Sequence, residues 1–589
     1  MSTVSSYSGA DLIADFIANL CNETAFLVTG GACAFIVDAI GRNPKANYVC
    51  FQHEQSAAMA ADAVWRTSGK VGVTVSTSGP GATNLITGIA CSWFDSIPTI
   101  HITGQVNHHE SREALNVNVR QSGFQETDIV SIVNSITKFS KKIESVEDLI
   151  FSLPLALKIA LEGRMGPVLL DVPMNIQKAQ INPEQKRKAL TPSEVEPEKH
   201  KFIDVSKIIS NSKRPVILIG AGAALSGTAK EIQNWCETFA IPYVTSWGAM
   251  TYIDRSGENY FGSVGVYGAR TANWLVQAAD QIIVFGSRLD NRQRTGNPYA
   301  FAPFAKICVL DIDQEELNKY RSYSNYETHR FDLKNVTTLL QHSSSYKDWA
   351  TSARKVTSKI TDGFSNSTSS LSLNPYYAVR RVQEKFKSKT IVTSDCGANL
   401  CWVYQSYLPD DSFLFTAGGN SPMGYSLPAA IGAQLTNPEK EVYCFIGDGG
   451  LQMNIQELQT VVHYKLPIKI FIQNNFGYGI IKQFQDSNFD SRHYASGEGY
   501  SSPDFKKISN AYDIPYIQIK NEQELVSLKI PNGYCIIDLH LAPDSLITPK
   551  VESNRFIHDQ FPYISDKSIE QLPYDYPKYP SLLKTINDN

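Results

Sequence analysis

Short apolar runs alternate with helical patterns along most of the chain, which predicts a repeated alternation of strands and helices. The clearest example lies between residues 442 and 475. Val442 to Ile446 and Ile468 to Ile472 are continuous apolar runs of the length of buried strands, and Gln452 to Tyr464 between them carries apolar residues at helical spacing. The unit is predicted to be strand, turn, helix, strand. A right-handed crossover would make the two strands parallel and bring their carboxyl ends to one edge of a sheet.

Three blocks of this alternating pattern follow one another, and two polar segments separate them. Asn182 to Lys201 contains three prolines among charged residues, and Ser343 to Ser372 is rich in Ser, Thr and Lys, as linkers are. The pattern predicts an α/β protein with three stacked parallel-sheet domains. The predicted domains are residues 1–182, 198–345 and 373–549. Residues 550–589 are rich in Tyr and Pro, and we interpret them as a tail that lies over another surface as a lid.

Composition indicates a large globular protein and argues against several function classes. Of 589 residues, 42% are hydrophobic, and the net charge is −4. No basic block is longer than Lys186 to Lys188, so we expect no nucleic-acid partner. The first nine residues are polar and uncharged, and no apolar stretch approaches the length of a membrane span, so we expect no membrane partner. Ten scattered cysteines without a CxxC pair are typical of core residues in a reducing cytoplasm.

Residues that could bind a metal ion or a phosphate group follow the two predicted strands. Gly447-Asp448-Gly449 follows the first strand, and Asn475 follows the second strand, 27 residues after the aspartate. A carboxylate, an amide oxygen and a backbone carbonyl are oxygen ligands that suit Mg²⁺. We therefore predict Asp448, Asn475 and Gly477 as metal ligands. The glycines allow backbone N–H groups to approach a diphosphate, although an Asp-Gly pair after a strand is by itself only a turn signal.

This strand, glycine turn, helix, strand arrangement resembles the diphosphate-anchoring motif of thiamine diphosphate enzymes. Three segments of the first block add a more specific resemblance to acetolactate (acetohydroxyacid) synthase catalytic subunits. They are Thr77 to Asn84, Ile102 to Val106 and Gly123 to Asp128. The resemblance covers about Gly9 to Leu541, and it implies a pyrimidine-binding, a middle nucleotide-fold and a diphosphate-binding domain. It also implies thiamine diphosphate and Mg²⁺ as cofactors.

The resemblance further implies a homodimer or homotetramer and assigns catalytic residues in the first block. In the family, a glutamate at the position of Glu54 contacts the aminopyrimidine ring of a cofactor bound by the neighbouring subunit and activates it. By itself, Glu54 in the first turn of a helix is a favourable partner of the helix dipole. Phe124 and Gln125 match residues that line the substrate side, or else they form a turn between helices. Gly31 completes the predicted catalytic set.

In the third block the resemblance assigns cofactor contacts. Met423 matches the residue whose apolar side chain supports the bent cofactor, although a methionine can equally fill a core. Gly397 and Asn399 match a diphosphate-binding loop in which the family usually has glutamine and histidine where this chain has Ala398 and Asn399. This departure should weaken diphosphate binding without abolishing it. The remaining predicted contacts are Gly447, Asp448, Gly449, Gly450, Asn475 and Gly477.

The middle block carries a predicted flavin site. Pro215 to Gly222 is an apolar run that enters a glycine turn, but it lacks the third glycine of the full dinucleotide fingerprint. Two further predicted strands end near Arg288 and Asp311. In the family, the corresponding stretches bind FAD, and Arg164 matches another flavin contact. The predicted contacts are Gly220, Gly222, Arg288, Asp311 and Arg164. The FAD would be structural because the reaction has no net redox change, and the alternative is a nucleotide fold without a ligand.

The resemblance implies decarboxylation of pyruvate and transfer of the two-carbon hydroxyethyl unit to a second 2-oxo acid, with a regulatory subunit as a further partner. The acceptor stays open because Ile480 and Phe484 stand where the synthases have methionine and tryptophan. Met174 also replaces a lysine near the channel mouth. One alternative is transfer to a nucleotide-linked keto sugar, and another is a flavin-dependent pyruvate oxidase. A non-catalytic relative would be expected to lose Glu54 or Asp448.

Overall fold

Three six-stranded sheets, in which all neighbouring strands run parallel, form the framework of the computed structural model. The structure describes residues 7–192, 203–341, 343–360, 372–552 and 555–564. Within these ranges strands and helices alternate along the chain, as the hydrophobic pattern predicts. The predicted fold class, α/β with three parallel-sheet domains, is therefore confirmed.

The strands of the first sheet are β1 (Thr24–Leu27), β2 (Asn47–Cys50), β3 (Gly72–Ser76), β4 (Thr99–Gln105), β5 (Phe139–Lys142) and β6 (Val168–Pro173), in the order β2-β1-β3-β4-β6-β5. Those of the central sheet are β7 (Pro215–Ile219), β8 (Tyr243–Thr245), β9 (Tyr260–Ser263), β10 (Gln281–Phe285), β11 (Lys306–Asp311) and β12 (Tyr326–Arg330), in the order β12-β11-β10-β7-β8-β9. Those of the third sheet are β13 (Ile391–Ser394), β14 (Phe413–Phe415), β15 (Val442–Gly447), β16 (Lys469–Asn474), β17 (Tyr516–Ile519) and β18 (Cys535–His540), in the order β14-β13-β15-β16-β18-β17. A two-stranded antiparallel sheet consists of β19 (Lys550–Val551) and β20 (Gln560–Phe561).

The α-helices of the first domain are Gly9–Leu20, Ala34–Arg42, Glu54–Ser68, Pro80–Asn84, Ile86–Asp95, Ile129–Val133, Val146–Leu161, Met174–Lys178 and Pro183–Ala189. Those of the central domain are Val205–Ile209, Ala221–Leu225, Ala229–Thr238, Arg270–Ala278, Asn291–Arg294, Gln314–Asn318 and Lys347–Thr357. Those of the third domain are Pro375–Gln383, Gly397–Ser406, Ser426–Thr436, Asp448–Met453, Leu458–His463, Gly479–Asn488, Phe505–Ala511 and Glu522–Val526. Short 3₁₀-helices are Gly31–Cys33, His108–Glu110, Asn134–Ile136, Trp247–Tyr252, Pro298–Ala300, Leu333–Thr338 and Ile455–Glu457.

The strands β15 and β16 show why the apolar runs are continuous. They pair in parallel from Tyr443 opposite Lys469 to Gly447 opposite Gln473, and both strands are buried almost throughout. A parallel sheet is covered on both faces, so neither face can carry the polar alternation of a half-exposed strand. The predicted strands and their parallel pairing are confirmed.

The first and third domains share a hydrophobic core. The alanine-rich helix Glu54–Ser68 packs against Ser426–Thr436, and their side chains belong to one buried cluster. A Cβ on Gly432 would overlap the backbone of Ala60, so only glycine allows this approach. This close packing therefore joins two domains and positions the helix that bears Glu54.

The helix predicted over Gln452 to Tyr464 is interrupted. Asn454 adopts a non-helical conformation (φ −133°, ψ 33°) between the helix Asp448–Met453 and a 3₁₀ turn. Its Nδ2 donates to Gly424 O at 2.8 Å, and its Oδ1 accepts from Ser56 Oγ at 3.1 Å. Apolar spacing does not reveal these partners, because they come from distant parts of the chain.

Both segments predicted to be linkers contain helices. Pro183–Ala189 is helical, and so is Lys347–Thr357, whose Trp349 and Val356 are buried in the core of the central domain. The prediction was wrong there because many polar residues obscure a narrow apolar stripe. Residues 193–202 and 361–371 lie outside the described residues.

The described part of the C-terminal segment packs against the central domain. Val551 donates its N–H to Val266 O at 2.8 Å, the Arg270 guanidinium donates to Gln560 O at 3.1 Å, and Ile557 is buried in the central core. Residues 565–589 lie outside the described residues, so the predicted lid stays a prediction.

Two sequence expectations concern the environment of the chain. None of the helices in the described ranges combines the length and apolar character that a membrane span requires.

All ten cysteines are free thiols, of which seven are buried, whereas Cys21 and Cys396 are partly buried and Cys50 is exposed. The interpretation of the cysteines as core residues is therefore correct for most of them and wrong for Cys50.

Candidate active site

Asp448 and Asn475 lie at the adjoining ends of β15 and β16. Asp448 is the first residue of the helix Asp448–Met453, and the side chains of both residues are almost completely buried. Burial raises the pKa of Asp448 to about 6. Asn475 Nδ2 is buried without a hydrogen-bond partner among the described residues. Because native structures rarely leave such groups unpaired, this edge fits a bound polar group.

Glycines leave room beside these two residues. A Cβ on Gly447 would meet no atom within 4 Å, and one on Gly397 (φ 74°) would be 3.8 Å from the nearest atom. A Cβ on Gly449 would lie 2.6 Å from Tyr478 Cε1 and 3.2 Å from Met423 Cε. The structure therefore brings the predicted Met423 to the glycine turn, where open backbone fits a diphosphate.

Asp395 organises the loop that carries Met423. Its carboxylate accepts the N–H groups of Gly424 and Tyr425 at 3.0 Å each, and burial raises its pKa to about 6. A Cβ on Gly450 would overlap the Asp395 carboxylate. Gly450 thus has a packing role beside its predicted cofactor contact. The sequence analysis did not single out Asp395, although its position directly after a strand is a usable signal.

Asn399 and Gly477 are two further predicted residues near the sheet edge that carries Asp448 and Asn475. Asn399 is buried and donates its Nδ2 to Ser394 Oγ at 3.1 Å and to Asp395 O at 3.2 Å, so its amide faces β13. The carbonyl oxygen of Gly477 accepts the Gly479 N–H at 3.0 Å and keeps a second lone pair for a ligand.

Glu54 occupies a second cluster, in the first domain. The Glu54 side chain is almost completely buried, and Oε2 accepts from Asn84 Nδ2 at 2.9 Å. A Cβ on Gly81 would lie 3.1 Å from Glu54 Oε1 and 2.8 Å from Thr77 Cγ2. Thr77 Oγ1 in turn accepts the Ala32 N–H at 3.2 Å, which holds the turn that begins at Gly31. The structure therefore brings Glu54 and Gly31 to the same segment, Thr77 to Asn84.

Phe124 and Gln125 lie on a loop beside that segment. Gln125 adopts a left-handed conformation (φ 60°), and a Cβ on Gly79 would be 2.9 Å from its Cβ. Phe124 is 84% exposed, so nothing in the described part of the chain covers its ring. Gln105 Nε2 secures the loop by donating to Thr127 O at 3.0 Å. The backbone of these two residues does form a turn between helices, as the second interpretation of the sequence expects. The exposed Phe124 ring can still contact another molecule.

A buried carboxylate, Asp171, supports the same loop from inside. Its two oxygens accept from Thr103 Oγ1 at 2.7 Å and from Gln105 Nε2 at 2.9 Å. Burial raises the pKa of Asp171 to about 7. Sequence reasoning missed this group because an aspartate within an apolar strand gives no sign of its partners on a neighbouring strand.

The connection between the two clusters within one chain is indirect. Among the described residues, no hydrogen bond or ion pair joins Glu54 to Asp448 or Asn475. The third domain instead holds the backbone before Glu54, because Glu457 Oε1 accepts the N–H groups of Gln52 at 3.2 Å and His53 at 3.1 Å. These contacts connect the start of the Glu54 helix with the third domain, at Glu457 rather than at Asp448.

A cavity of about 270 Å³ opens where the three domains adjoin. Four of the five predicted flavin contacts line it, namely Arg164, Gly222, Arg288 and Asp311. Arg164 Nη1 forms ion pairs with Asp313 at 2.9 Å and Glu316 at 3.0 Å. Burial raises the pKa of Asp311.

Gly220 has another role. It does not line the cavity, and a Cβ there would overlap the carbonyl of Gly286. The glycine is needed so that the turn after β7 can approach β10 closely. The predicted glycine turn is therefore present, but Gly220 acts in packing.

Arg66 and Asp95 connect this cavity with the Met423 loop. Arg66 forms ion pairs with Asp62 at 2.6 Å and Asp95 at 2.8 Å, and both Arg66 and Asp95 line the cavity. The Asp95 carboxylate also accepts the N–H groups of Gly418 at 2.8 Å and Gly419 at 2.7 Å. One ion-pair network thus reaches from the first domain to the loop of the third domain.

Comparison with known proteins identifies the same three domains. Models of the thiamine pyrophosphate enzyme N-terminal TPP binding domain, central domain and C-terminal TPP binding domain match residues 7–132, 203–327 and 395–529. The acetolactate synthase large subunit of Lactococcus lactis subsp. lactis is 32% identical, over 89% of this chain and 90% of that protein. The large subunit of Escherichia coli acetolactate synthase isozyme 2 is 31% identical, over 89% and 93%. The chloroplastic acetolactate synthase 1 of Zea mays is 31% identical, over 94% and 88%.

Proposed function

The chain belongs to the thiamine pyrophosphate enzyme family, and we propose that it acts as an acetolactate synthase that decarboxylates pyruvate and joins the two-carbon unit to a second 2-oxo acid. The observation that carries the proposal is the convergence of Asp448, Asn475 and open glycine backbone at two adjoining strand ends. In parallel α/β sheets, ligands bind at this edge.

Asp448, Asn475 and the carbonyl of Gly477 would hold Mg²⁺, and the backbone of Gly447 and Gly449 would face the diphosphate. Thiamine diphosphate, when bound there, supplies the carbanion that adds to the pyruvate carbonyl and allows loss of CO₂.

We assign the proton transfer that activates the cofactor to Glu54. Asn84 Nδ2 donates to Glu54 Oε2 at 2.9 Å, and Glu54 Oε1 points toward Gly81. The carboxylate therefore has a defined orientation. Because no hydrogen bond or ion pair among the described residues joins Glu54 to Asp448 or Asn475, we propose at least a homodimer, in which Glu54 of one subunit faces the edge of the other. Phe124 and Gln125 lie on the loop beside the segment Thr77 to Asn84 and would contact the substrate.

The cavity between the domains is the proposed FAD site. Arg164 and Arg288, both paired with carboxylates, line it and could donate to a phosphate, and Asp311 at the end of β11 is suited to accept from ribose hydroxyls. Its volume is near the small end of the range for ligand pockets. We propose a structural FAD, which would be detected by the yellow colour of the purified protein.

A 2-oxo acid is the proposed acceptor. Phe484 is half exposed on the helix Gly479–Asn488, and a phenylalanine in place of the family's tryptophan would leave room for acceptors of different sizes. The names of the relatives favour a 2-oxo acid over a keto sugar, and they give no support to a pyruvate oxidase. Relatives named large subunits support a small regulatory partner, and the sequence features support a cytoplasmic location.

A product assay tests the proposal. Purified protein is incubated with thiamine diphosphate, Mg²⁺ and pyruvate, and 2-acetolactate is measured together with CO₂ and oxygen uptake. We expect one 2-acetolactate for each CO₂ and no oxygen uptake. Oxygen uptake without 2-acetolactate would establish the oxidase reaction, and product formation only after addition of a keto sugar would establish the other acceptor. The Asp448→Ala variant is the control, and it should neither retain the cofactor nor form product.

A further inference from the structure

A tyrosine outside every sequence motif contacts the proposed metal ligand. The Tyr500 hydroxyl donates to Asp448 Oδ2 at 2.8 Å. Asp448 itself is 2% exposed, so few groups can reach its carboxylate. Tyr500 lies in the irregular segment between the helices Gly479–Asn488 and Phe505–Ala511, 52 residues from Asp448 in the chain.

Packing fixes the position of this hydroxyl. The Tyr500 ring lies against the Tyr478 ring, with 4.5 Å between the centroids. A Cβ on Gly449 would be 2.6 Å from Tyr478 Cε1 and 3.3 Å from the Tyr500 hydroxyl oxygen. Because residue 449 is glycine, both rings can lie directly over the turn that begins at Asp448.

The backbone ties the same tyrosine to the other proposed ligands. Tyr478 directly follows Gly477, and its N–H donates to Ser496 O at 3.0 Å. Tyr500 closes the next turn, because its own N–H donates to Gly497 O at 3.2 Å. The segment that carries Asn475 and Gly477 therefore positions the turn that presents Tyr500 to Asp448.

We propose that Tyr500 is a positioning residue that orients the Asp448 carboxylate toward Mg²⁺ by hydrogen bonding to Oδ2 and leaving Oδ1 for the metal. This inference rests on the proposed function. Mg²⁺ demands a nearly ideal octahedral geometry and therefore a fixed ligand direction. Hydrogen-bond partners of metal ligands supply this direction, and their loss typically weakens metal binding about 10–100-fold.

The test compares the Mg²⁺ dependence of thiamine diphosphate binding in wild type and Tyr500→Phe, followed by equilibrium dialysis. The variant keeps the ring that packs against Tyr478 and removes only the hydroxyl. We expect the half-saturating Mg²⁺ concentration to rise about 10–100-fold. We also expect kcat to return close to the wild-type value at saturating Mg²⁺, because the added metal compensates for the lost orientation.

Tyr7→Phe is the matched control. The Tyr7 hydroxyl donates to Asp15 Oδ2 at 2.7 Å, so this variant removes a similar phenol–carboxylate hydrogen bond far from the site. It should leave the Mg²⁺ dependence unchanged. An unchanged Mg²⁺ dependence in Tyr500→Phe would overturn the inference, and so would a binding defect that no concentration of Mg²⁺ restores. If wild type itself fails to bind thiamine diphosphate with Mg²⁺, the proposed function fails instead.

Discussion

At the scale of single residues, neighbouring glycines of one turn have different tasks. Gly447 faces open space, whereas Gly450 lies against the buried Asp395 carboxylate. The sequence alone predicts both as cofactor contacts because both belong to one motif. Only the structure shows that Gly450 allows Asp395 to reach the backbone of the Met423 loop.

Gly450→Ala should destabilise the third domain, because the new methyl group would displace Asp395 from the Gly424 N–H. Overpacking of this kind costs about 1–3 kcal/mol. Gly447→Ala is the control, since its Cβ meets no atom within 4 Å and its φ of −74° suits any residue. The melting temperatures of the cofactor-free proteins measure the effect. Equal values for the two variants would contradict the packing role of Gly450.

Asp171 should make stability depend on pH. Burial raises its pKa from 3.8 to about 7. Between pH 3.8 and about 7, Asp171 is therefore protonated in the folded chain and ionised in the unfolded chain. The resulting stabilisation is fully present below pH about 4 and is lost as the pH rises through about 7.

Asp171→Asn removes this titration and can keep both hydrogen bonds, with its oxygen toward Gln105 and its amide toward the Thr103 hydroxyl. The melting temperature of wild type relative to this variant should therefore fall between pH about 4 and about 7 and stay constant above pH about 7. A constant difference across this range would show that Asp171 is ionised throughout.

The sequence predicts site residues that are marked by their position after a strand, and it misses residues whose role depends on a contact with a distant part of the chain. Asp448 and Asn475 each follow a strand directly, and Glu54 begins the helix after β2, so the local pattern predicts where they lie. The Tyr500 and Asp171 contacts were missed because they join segments that are distant in the chain. Nothing in the spacing of apolar residues encodes such pairings.

At the scale of elements, two packed helices join the first and third domains. The helix Glu54–Ser68 carries Arg66 and Asp62, and Asp62 also accepts hydrogen bonds from Tyr425 and Ser92. The Asp62 side chain is fully buried, so its charge depends on Arg66 for compensation. The Tyr425 hydroxyl, which donates to Asp62, therefore links this ion pair to the third domain.

Arg66→Met should cost about 3–5 kcal/mol, because it leaves the Asp62 charge buried without a cation. Arg42→Met serves as the control. Arg42 also pairs with two aspartates, Asp11 at 2.9 Å and Asp38 at 2.8 Å, but its side chain is 52% exposed. Exposed pairs contribute about 0–1 kcal/mol. Thermal unfolding compares the two, and similar losses would refute the assigned importance of the buried pair.

Most elements could be predicted from the sequence, and the exceptions have a common cause. Strands of a parallel sheet are buried on both faces and produce clear apolar runs. The helix Lys347–Thr357 buries only a narrow stripe, so its polar residues resemble a linker. The break at Asn454 depends on partners in another domain, which local propensity cannot indicate.

In the complete chain, different domains carry the two proposed parts of the active site. The first domain carries Glu54, the third domain carries the Asp448 edge, and the cavity for the proposed FAD lies where all three adjoin. The third domain also holds the backbone before Glu54 through Glu457. In a dimer, each chain would then contribute to both active sites, and each site would need both chains.

Subunit complementation between Glu54→Gln and Asp448→Ala tests this claim most directly. Each variant alone should be inactive, since every one of its sites lacks either Glu54 or Asp448. After random reassociation, about half of the dimers are mixed, and one of the two sites in each mixed dimer is intact. We expect recovery of about a quarter of the wild-type rate of 2-acetolactate formation. Activity no higher than the sum of the separate variants would contradict a site shared between two chains.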